Sequence, residues 1–284
     1  MVRLIAGLVG LFFSGMLLIS LVTGAYTAVT EPVPPTVESQ FHKHPKKVSF
    51  AHDGPFGAYD KAQLQRGLKV YAEVCAACHS LKLVAFRNFE EIGYSEDEVK
   101  AIAKGWKTEV PTINPETGEP ATRPGLPADK IPSPFANETA ARAANNNALP
   151  PDLSLMTKAR HNGTAYVYSL LMGYADANTY KNEDGKSVPK EVRPGTGLHF
   201  NPYFANLNLA MAAPITGDDQ VTYDDGTKAT KDQMAKDVAA FLTWTAEPKM
   251  EARKTAGWAA LIFLIIFTGL CYLSYRTIWA DKKH

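Results

Sequence analysis

Apolar positions divide the chain into two apolar ends and a patterned middle. Leu4 to Val22 is apolar almost without interruption after the single cation Arg3, and Thr23-Gly24-Ala25 supplies small residues suited to cleavage. This predicts an N-terminal export segment over residues 1–30. Its apolar run is long for a signal peptide and close to a membrane span, so removal and retention as an anchor both stay open. Near the other end, Ala256 to Tyr275 carries no charge and is bordered by Trp258, Tyr272, Tyr275 and Trp279. That pattern predicts a single transmembrane helix over 256–275 with aromatic residues at its interfaces.

Between these ends, periodicity and capping signals mark helices. A Pro-bearing polar linker covers 31–48, and the domain proper runs from 49 to 250. Asp60 followed by Gln63 reads as a helix start, with Leu64, Leu68, Tyr71 and then Val74 or Cys75 at spacings of three and four. Thr157 to Tyr174 places Tyr166, Val167, Leu170 and Leu171 on one side of a second helix. Thr230 before Gln233 opens a third, carrying Met234, Val238, Phe241, Leu242 and Thr245. Thr108 to Pro134 is rich in Pro and Gly without periodicity and is read as a long loop; Asp224-Asp225-Gly226 is read as a tight turn, with a small hairpin around it. The fold expected is mainly α, with long loops and one C-terminal membrane helix.

Composition adds little beyond limits. The 284 residues are 45% hydrophobic, enough for one substantial domain, and the net charge of +1 lacks the basic excess of a nucleic-acid binder. Lys249, Arg253 and Lys254 before the C-terminal span balance Arg276, Lys282 and Lys283 after it, so charge alone does not orient it. The export segment does. It places 49–250 on the periplasmic side and the tail 276–284 in the cytoplasm, and the absence of a long Arg-rich transit peptide favours a bacterial inner (cell) membrane.

Chemistry enters at Cys75-Ala76-Ala77-Cys78-His79. C-x-x-C-H is the attachment pattern of a c-type haem: each thiol adds to one vinyl group, and the adjacent imidazole becomes the proximal iron ligand. On a helix, positions 75, 78 and 79 share a face. A structural zinc site needs four ligands, and the one other cysteine, Cys271, lies inside the apolar run. One motif implies one covalently attached haem. Electron transfer favours a sixth ligand. Met156 and Met172 have helical core spacing, whereas Met211 follows Asn201-Pro202-Tyr203-Phe204 in a proline-punctuated segment able to lay a thioether across the distal face; His199 is the competing ligand.

With these residues in view, the chain resembles the cytochrome c1 family from about Ser49 to Trp279. The resemblance is carried by Gln65-Arg66-Gly67-Leu68-Lys69-Val70-Tyr71 through His79, by Ala140 to Asn146, and by Ala148-Leu149-Pro150-Pro151-Asp152-Leu153-Ser154. It continues through Ala159-Arg160-His161, Asn201 to Pro214, and Gln233 to Val238 with Trp244 and Glu247-Pro248. It implies a cytochrome c-like helical haem domain in which Cys75 and Cys78 hold the haem and His79 and Met211 ligate iron. Pro151 would pack near the haem, and Arg160 and Tyr166 would approach a propionate. Asn147 and Asn162, where many relatives have glycine, and Ala212-Ala213-Pro214 depart from the usual pattern and bear on local loop geometry.

The implied role is one-electron relay within the respiratory cytochrome bc1 complex, from the Rieske iron–sulfur protein to cytochrome c. The chain itself would break no substrate bond; catalysis and proton translocation belong to the assembled quinol:cytochrome c oxidoreductase. Partners implied are cytochrome b, the Rieske protein, cytochrome c and membrane lipid, in a dimeric complex, with no nucleic acid. Asp218, Asp219, Asp224 and Asp225 are candidates for steering a basic partner. The alternatives are an independent membrane-anchored c-type cytochrome, and a haem enzyme or sensor with an open distal site.

Overall fold

Capped, periodic segments form helices, and the irregular stretches hold short structure of their own. The computed structural model describes residues 1–32 and 34–282; Val33 of the linker and Lys283 and His284 of the tail lie outside the described residues. The chain divides into two units, Met1–Phe41 and His42–His284. The first contains α1, Val2–Thr30, with no buried residue and an 18-residue stretch of mean hydropathy 2.4, and the short α2, Val37–Phe41. α1 is thus longer than the apolar run that predicted it, and it is long and apolar enough to cross a membrane.

The second unit begins its helical core with α3, Lys61–Val70, whose N-cap Asp60 accepts from the Gln63 N–H at 3.2 Å. The chain then widens into a π-helical turn, Tyr71–Cys75, closed by the Ala76 N–H on the Tyr71 carbonyl at 2.8 Å. A 3-10 segment covers Phe86–Ile92. α4, Glu96–Lys104, starts with a reciprocal capping box between Ser95 and Glu98. In the stretch read as an irregular loop, β1, Val110–Ile113, pairs antiparallel with β2, Pro120–Arg123. Proline is tolerated there because a two-stranded ribbon is all edge.

α5 is Glu138–Ala144. α6 is Gly163–Leu171, shorter than the predicted Thr157–Tyr174: Asn162 sits at φ 52° and interrupts the chain before the helix starts. β3, His199–Phe200, pairs with β4, Asn208–Leu209; Asp224 and Asp225 form the predicted turn, without strands around it. α7, Lys231–Ala246, starts at Thr230, whose side chain accepts from the Gln233 N–H at 3.1 Å. α8, Met250–Trp279, buries only Met250, contains an 18-residue stretch of mean hydropathy 2.1, and matches the expected C-terminal span.

The core is built by packing α3 against α7. Leu64, Leu68 and Tyr71 meet the buried Met234, Val238, Phe241 and Trp244, and each such large apolar side chain contributes about 1.5–3 kcal/mol. Gly67 sets the closeness of the two helices, since a Cβ there would collide with the Asp237 carbonyl and the Phe241 side chain. Fully buried Asp237 cross-links the same interface, accepting from Gln63 Nε2 at 3.1 Å, Arg66 Nε at 3.0 Å and Gln233 Nε2 at 2.8 Å. A buried carboxylate is tolerable only when paired and hydrogen-bonded in this way. The molecule is mainly α, and its core holds α3 and the π turn that leads from it into the motif.

Candidate haem-binding site

Cys75 ends the π turn, and the motif continues into a tight turn in which the N–H groups of Cys78 and His79 both donate to the Cys75 carbonyl, at 3.1 and 2.9 Å. The motif is therefore presented by a π turn and a following turn, in place of the regular helical face that its spacing predicted. π turns recur at functional sites because the extra residue re-aims the side chains after it. Cys75 and Cys78 are free thiols. Burial, then the neighbouring Cys78, pushes the Cys75 thiol up to about 12.

His79 is oriented by a second segment of chain. Its Nδ1 lies 2.8 Å from the Pro151 carbonyl, which can only accept, so the Nδ1 carries the proton and Nε2 keeps its lone pair. Burial lowers the imidazole pKa and outweighs the opposing effect of that carbonyl, keeping the ring neutral and suited to metal ligation. The buried Tyr71 hydroxyl donates to the His79 carbonyl at 2.8 Å. Asp152 extends the clamp by accepting from Ser80 Oγ and the Lys82 N–H, both at 2.8 Å, and from the Ser154 N–H at 3.0 Å. Ser154 Oγ accepts from the Leu83 N–H at 3.2 Å, and the Leu153 N–H donates to the Ser80 carbonyl at 2.9 Å. Burial alone would raise the Asp152 pKa, but these donors hold it below the ordinary carboxyl value.

Met211 is half-buried in the bend just after β4, and its carbonyl accepts from the Tyr174 hydroxyl at 3.0 Å. His199 is exposed and takes its place in the β3–β4 ribbon opposite Leu209. Arg160 and Tyr166 are brought together, the guanidinium 6.0 Å from the ring centroid. Arg160 is exposed, donates to the Ala159 carbonyl at 3.0 Å, and has no carboxylate partner among the described residues. Pro151 is exposed and acts through its carbonyl.

The donor set fits a covalently attached haem. Two free thiols at the required spacing adjoin an imidazole whose unprotonated nitrogen is fixed by a backbone acceptor, and Arg160 retains unspent charge for a carboxylate. The two asparagines at unusual positions explain themselves: Asn147 and Asn162 adopt φ of 65° and 52°, in the left-handed region that asparagine enters more readily than other non-glycine residues. The acidic cluster is less free than its sequence implied. Asp224 pairs with Lys69 at 2.7 Å, Asp225 with Arg66 at 2.6 Å, and Asp218 accepts from the Lys231 N–H at 2.8 Å.

Sequence reasoning named Pro151 but missed Tyr71, Ser80, Asp152 and Tyr174 as positioning residues. No local signal marks them, because each works through a contact with a separate segment or through its place in the core.

Comparison with known proteins gives the family. The sequence model described as the cytochrome C1 family matches residues 50–282. The chain is 46% identical over 245 residues to a protein named cytochrome c1 from Rhodospirillum rubrum, covering 84% of this chain and 88% of that one. It is 45% identical over 239 residues to the mitochondrial cytochrome c1 haem protein of Saccharomyces cerevisiae, covering 84% and 71%. A Candida albicans protein named as the catalytic subunit of the mitochondrial cytochrome b-c1 complex is 43% identical over 241 residues, covering 85% and 79%.

Proposed function

The chain belongs to the cytochrome c1 family, and from that premise we propose that it is the haem-bearing electron carrier of a cytochrome bc1 complex. It accepts single electrons from a Rieske iron–sulfur protein and passes them to a cytochrome c. Cys75 and Cys78 hold the haem by thioethers, His79 is the proximal ligand and Met211 the distal one. The observation that carries the reading is the 2.8 Å contact of His79 Nδ1 with the Pro151 carbonyl, directly beside the two free thiols.

A haem held there supplies a one-electron iron couple, with thioether ligation favouring the ferrous state. The protein's part is to hold its ligands still. The Pro151 carbonyl fixes the tautomer of His79, while the Tyr71 hydroxyl and the Asp152 clamp fix the backbone on either side of it, so changing charge on the site moves few protein atoms. Tyr174 positions the Met211 backbone. Arg160, supported by the Tyr166 face, offers a guanidinium to a propionate.

α8 anchors the unit in the membrane, and the domain faces the periplasm of a bacterial cell, beside cytochrome b in a dimeric complex. The names of the Saccharomyces and Candida relatives support the complex and the haem; the acceptor follows from the family reading. The test is purification from detergent-solubilised membranes. The chain should co-purify with cytochrome b, carry haem that survives denaturing electrophoresis, and be reduced by added quinol and reoxidised by cytochrome c. Purification alone, with haem that binds carbon monoxide in the unmodified protein, would overturn the assignment in favour of an open-site haem protein.

A further inference from the structure

The loop just before α3 is strapped to the first turns of the membrane helix. The Tyr59 N–H donates to Glu251 Oε1 at 2.7 Å, and the Tyr59 hydroxyl donates to the Glu247 carbonyl, in the link between α7 and α8, at 3.0 Å. Lys254 Nζ donates to the carbonyls of His52 and Gly57, both at 2.8 Å. Trp258 Nε1 donates to the Pro55 carbonyl at 3.3 Å. Lys254 and Trp258, four residues apart on one face of α8, are the half-buried positions of an otherwise exposed stretch. Internal bonds hold the loop shut: Asp53 Oδ2 accepts from the Phe50 N–H at 2.8 Å, and a Cβ at Gly57 would collide with the His52 and Asp53 backbone.

This strap places one side chain unusually. Phe56 is 80% exposed, yet it stacks on Trp258 with centroids 4.9 Å apart and planes 2° from parallel. Trp258 lies inside the apolar run that begins at Ala256, within about 3 Å of its start along the axis. The Phe56 ring is therefore continuous with the apolar surface of α8, at the level where aromatic residues meet headgroups. The cation beside it, Lys254, has carbonyl partners at this edge and can stay there without reaching for water.

We propose that the loop 52–59 is a second membrane contact, in which Phe56 lies in the headgroup region of the lipid surface beside Trp258 and sets the rotation of α8 relative to that surface. The occupant of the exposed Phe56 face is lipid, because that face prolongs a surface whose remaining large side chains, such as Leu261 and Ile262, are bare on a helix of membrane-spanning length.

The test uses the full haem-loaded chain in vesicles of phosphatidylethanolamine and phosphatidylglycerol, with Cys271→Ser leaving no free thiol outside the haem motif. A nitroxide is attached at Phe56→Cys and, in a second variant that keeps Phe56, at Ala58→Cys. Collision with dissolved oxygen should exceed collision with a water-soluble nickel chelate at residue 56, and the ratio should shift toward nickel when the protein is moved from vesicles to water-soluble polymer. Nickel collision dominating at both positions in vesicles would place the loop in water and overturn the proposal. An immobilised label shielded from both reagents would assign the face to a protein partner or a second copy, and would overturn it equally. An unchanged haem spectrum in both variants separates either failure from loss of the fold or of the haem assignment.

Discussion

The two sides of the candidate site are built differently. On the His79 side, residues 79–83 and 151–154 exchange hydrogen bonds through Asp152, Ser80, Ser154 and the backbone, with Tyr71 donating from the core. On the Met211 side, the β3–β4 ribbon is well tied: Asn201 Nδ2 donates to the Leu170 carbonyl at 2.7 Å, and the Asn201 N–H to the Leu207 carbonyl at 2.7 Å. Beyond Leu209, residues 210–213 have one hydrogen bond among the described residues, from Tyr174 to the Met211 carbonyl. His79 is over-determined by the protein, while Met211 depends on a single tether and on the bond it would itself make as the proposed distal ligand. Substitutions on the two sides should therefore fail in different ways.

The largest expected effect is at the thiols. Cys75→Ala with Cys78→Ala should abolish covalent haem on denaturing gels stained for haem, because no thioether can form. If haem still migrated with the denatured double variant, the attachment site would lie elsewhere. The distal counterpart should keep its covalent haem entirely. Met211→Leu preserves apolar volume but removes sulfur, so the reduced protein should bind carbon monoxide and its potential should fall by on the order of 0.1 V or more. Quinol:cytochrome c turnover should collapse while the gel stain stays unchanged. An unaltered potential with normal turnover would move the distal ligand to His199 or another methionine, and His199, exposed in the ribbon, would have to leave its place to serve.

The third effect is one of stability. Asp152→Ala removes the acceptor for Ser80, Lys82 and Ser154 and should cost on the order of 3 kcal/mol in thermal or denaturant unfolding. The same carboxylate predicts a pH dependence. Its pKa is lower in the folded protein than the ordinary 3.8, so the unfolded chain binds the proton more readily. Its contribution is complete above about pH 4 and is lost as pH falls through the depressed value. Wild-type and Asp152→Ala unfolding curves should therefore converge on acidification. Curves that stay parallel down to about pH 2 would remove Asp152 from the clamp.

These contrasts follow what the sequence could reveal. Helices α3 and α7 were legible because cap, periodicity and core face coincide at Asp60, Leu64 and Leu68, and at Thr230, Met234 and Val238. The start of α6 was not, because Tyr166 to Leu171 is periodic but nothing in Ala159-Arg160-His161 announces a left-handed Asn162. The β1–β2 ribbon hid behind Pro111 and Pro120, although Val110, Thr112 and Ile113 have β-forming side chains. At the site, the C-x-x-C-H motif is local and legible directly, whereas Met211 is proposed from its position alone. The Asp152 clamp joins residues some 70 positions apart, and no spacing rule encodes such a meeting.

The smallest effect gives the finest comparison, because the same atom can be deleted on each side. Tyr174→Phe removes only the hydroxyl that tethers the Met211 carbonyl, and Tyr71→Phe only the one that holds the His79 carbonyl. Each loss should cost about 1 kcal/mol globally. Locally they should diverge. Around His79 the bonds to Pro151 and Asp152 persist, so amide exchange at residues 79–83 should change little. Around Met211 no second bond takes up the load, and exchange of the hydrogen-bonded amides of the adjoining β3–β4 ribbon should quicken by about fivefold, the factor that 1 kcal/mol sets. The reduced Tyr174→Phe protein should also admit carbon monoxide slowly, as the loosened bend lets the thioether leave, while Tyr71→Phe should not. Equal exchange and equal gas binding in the two variants would mean that the distal bend is held by its own packing, and that the two sides are equally rigid.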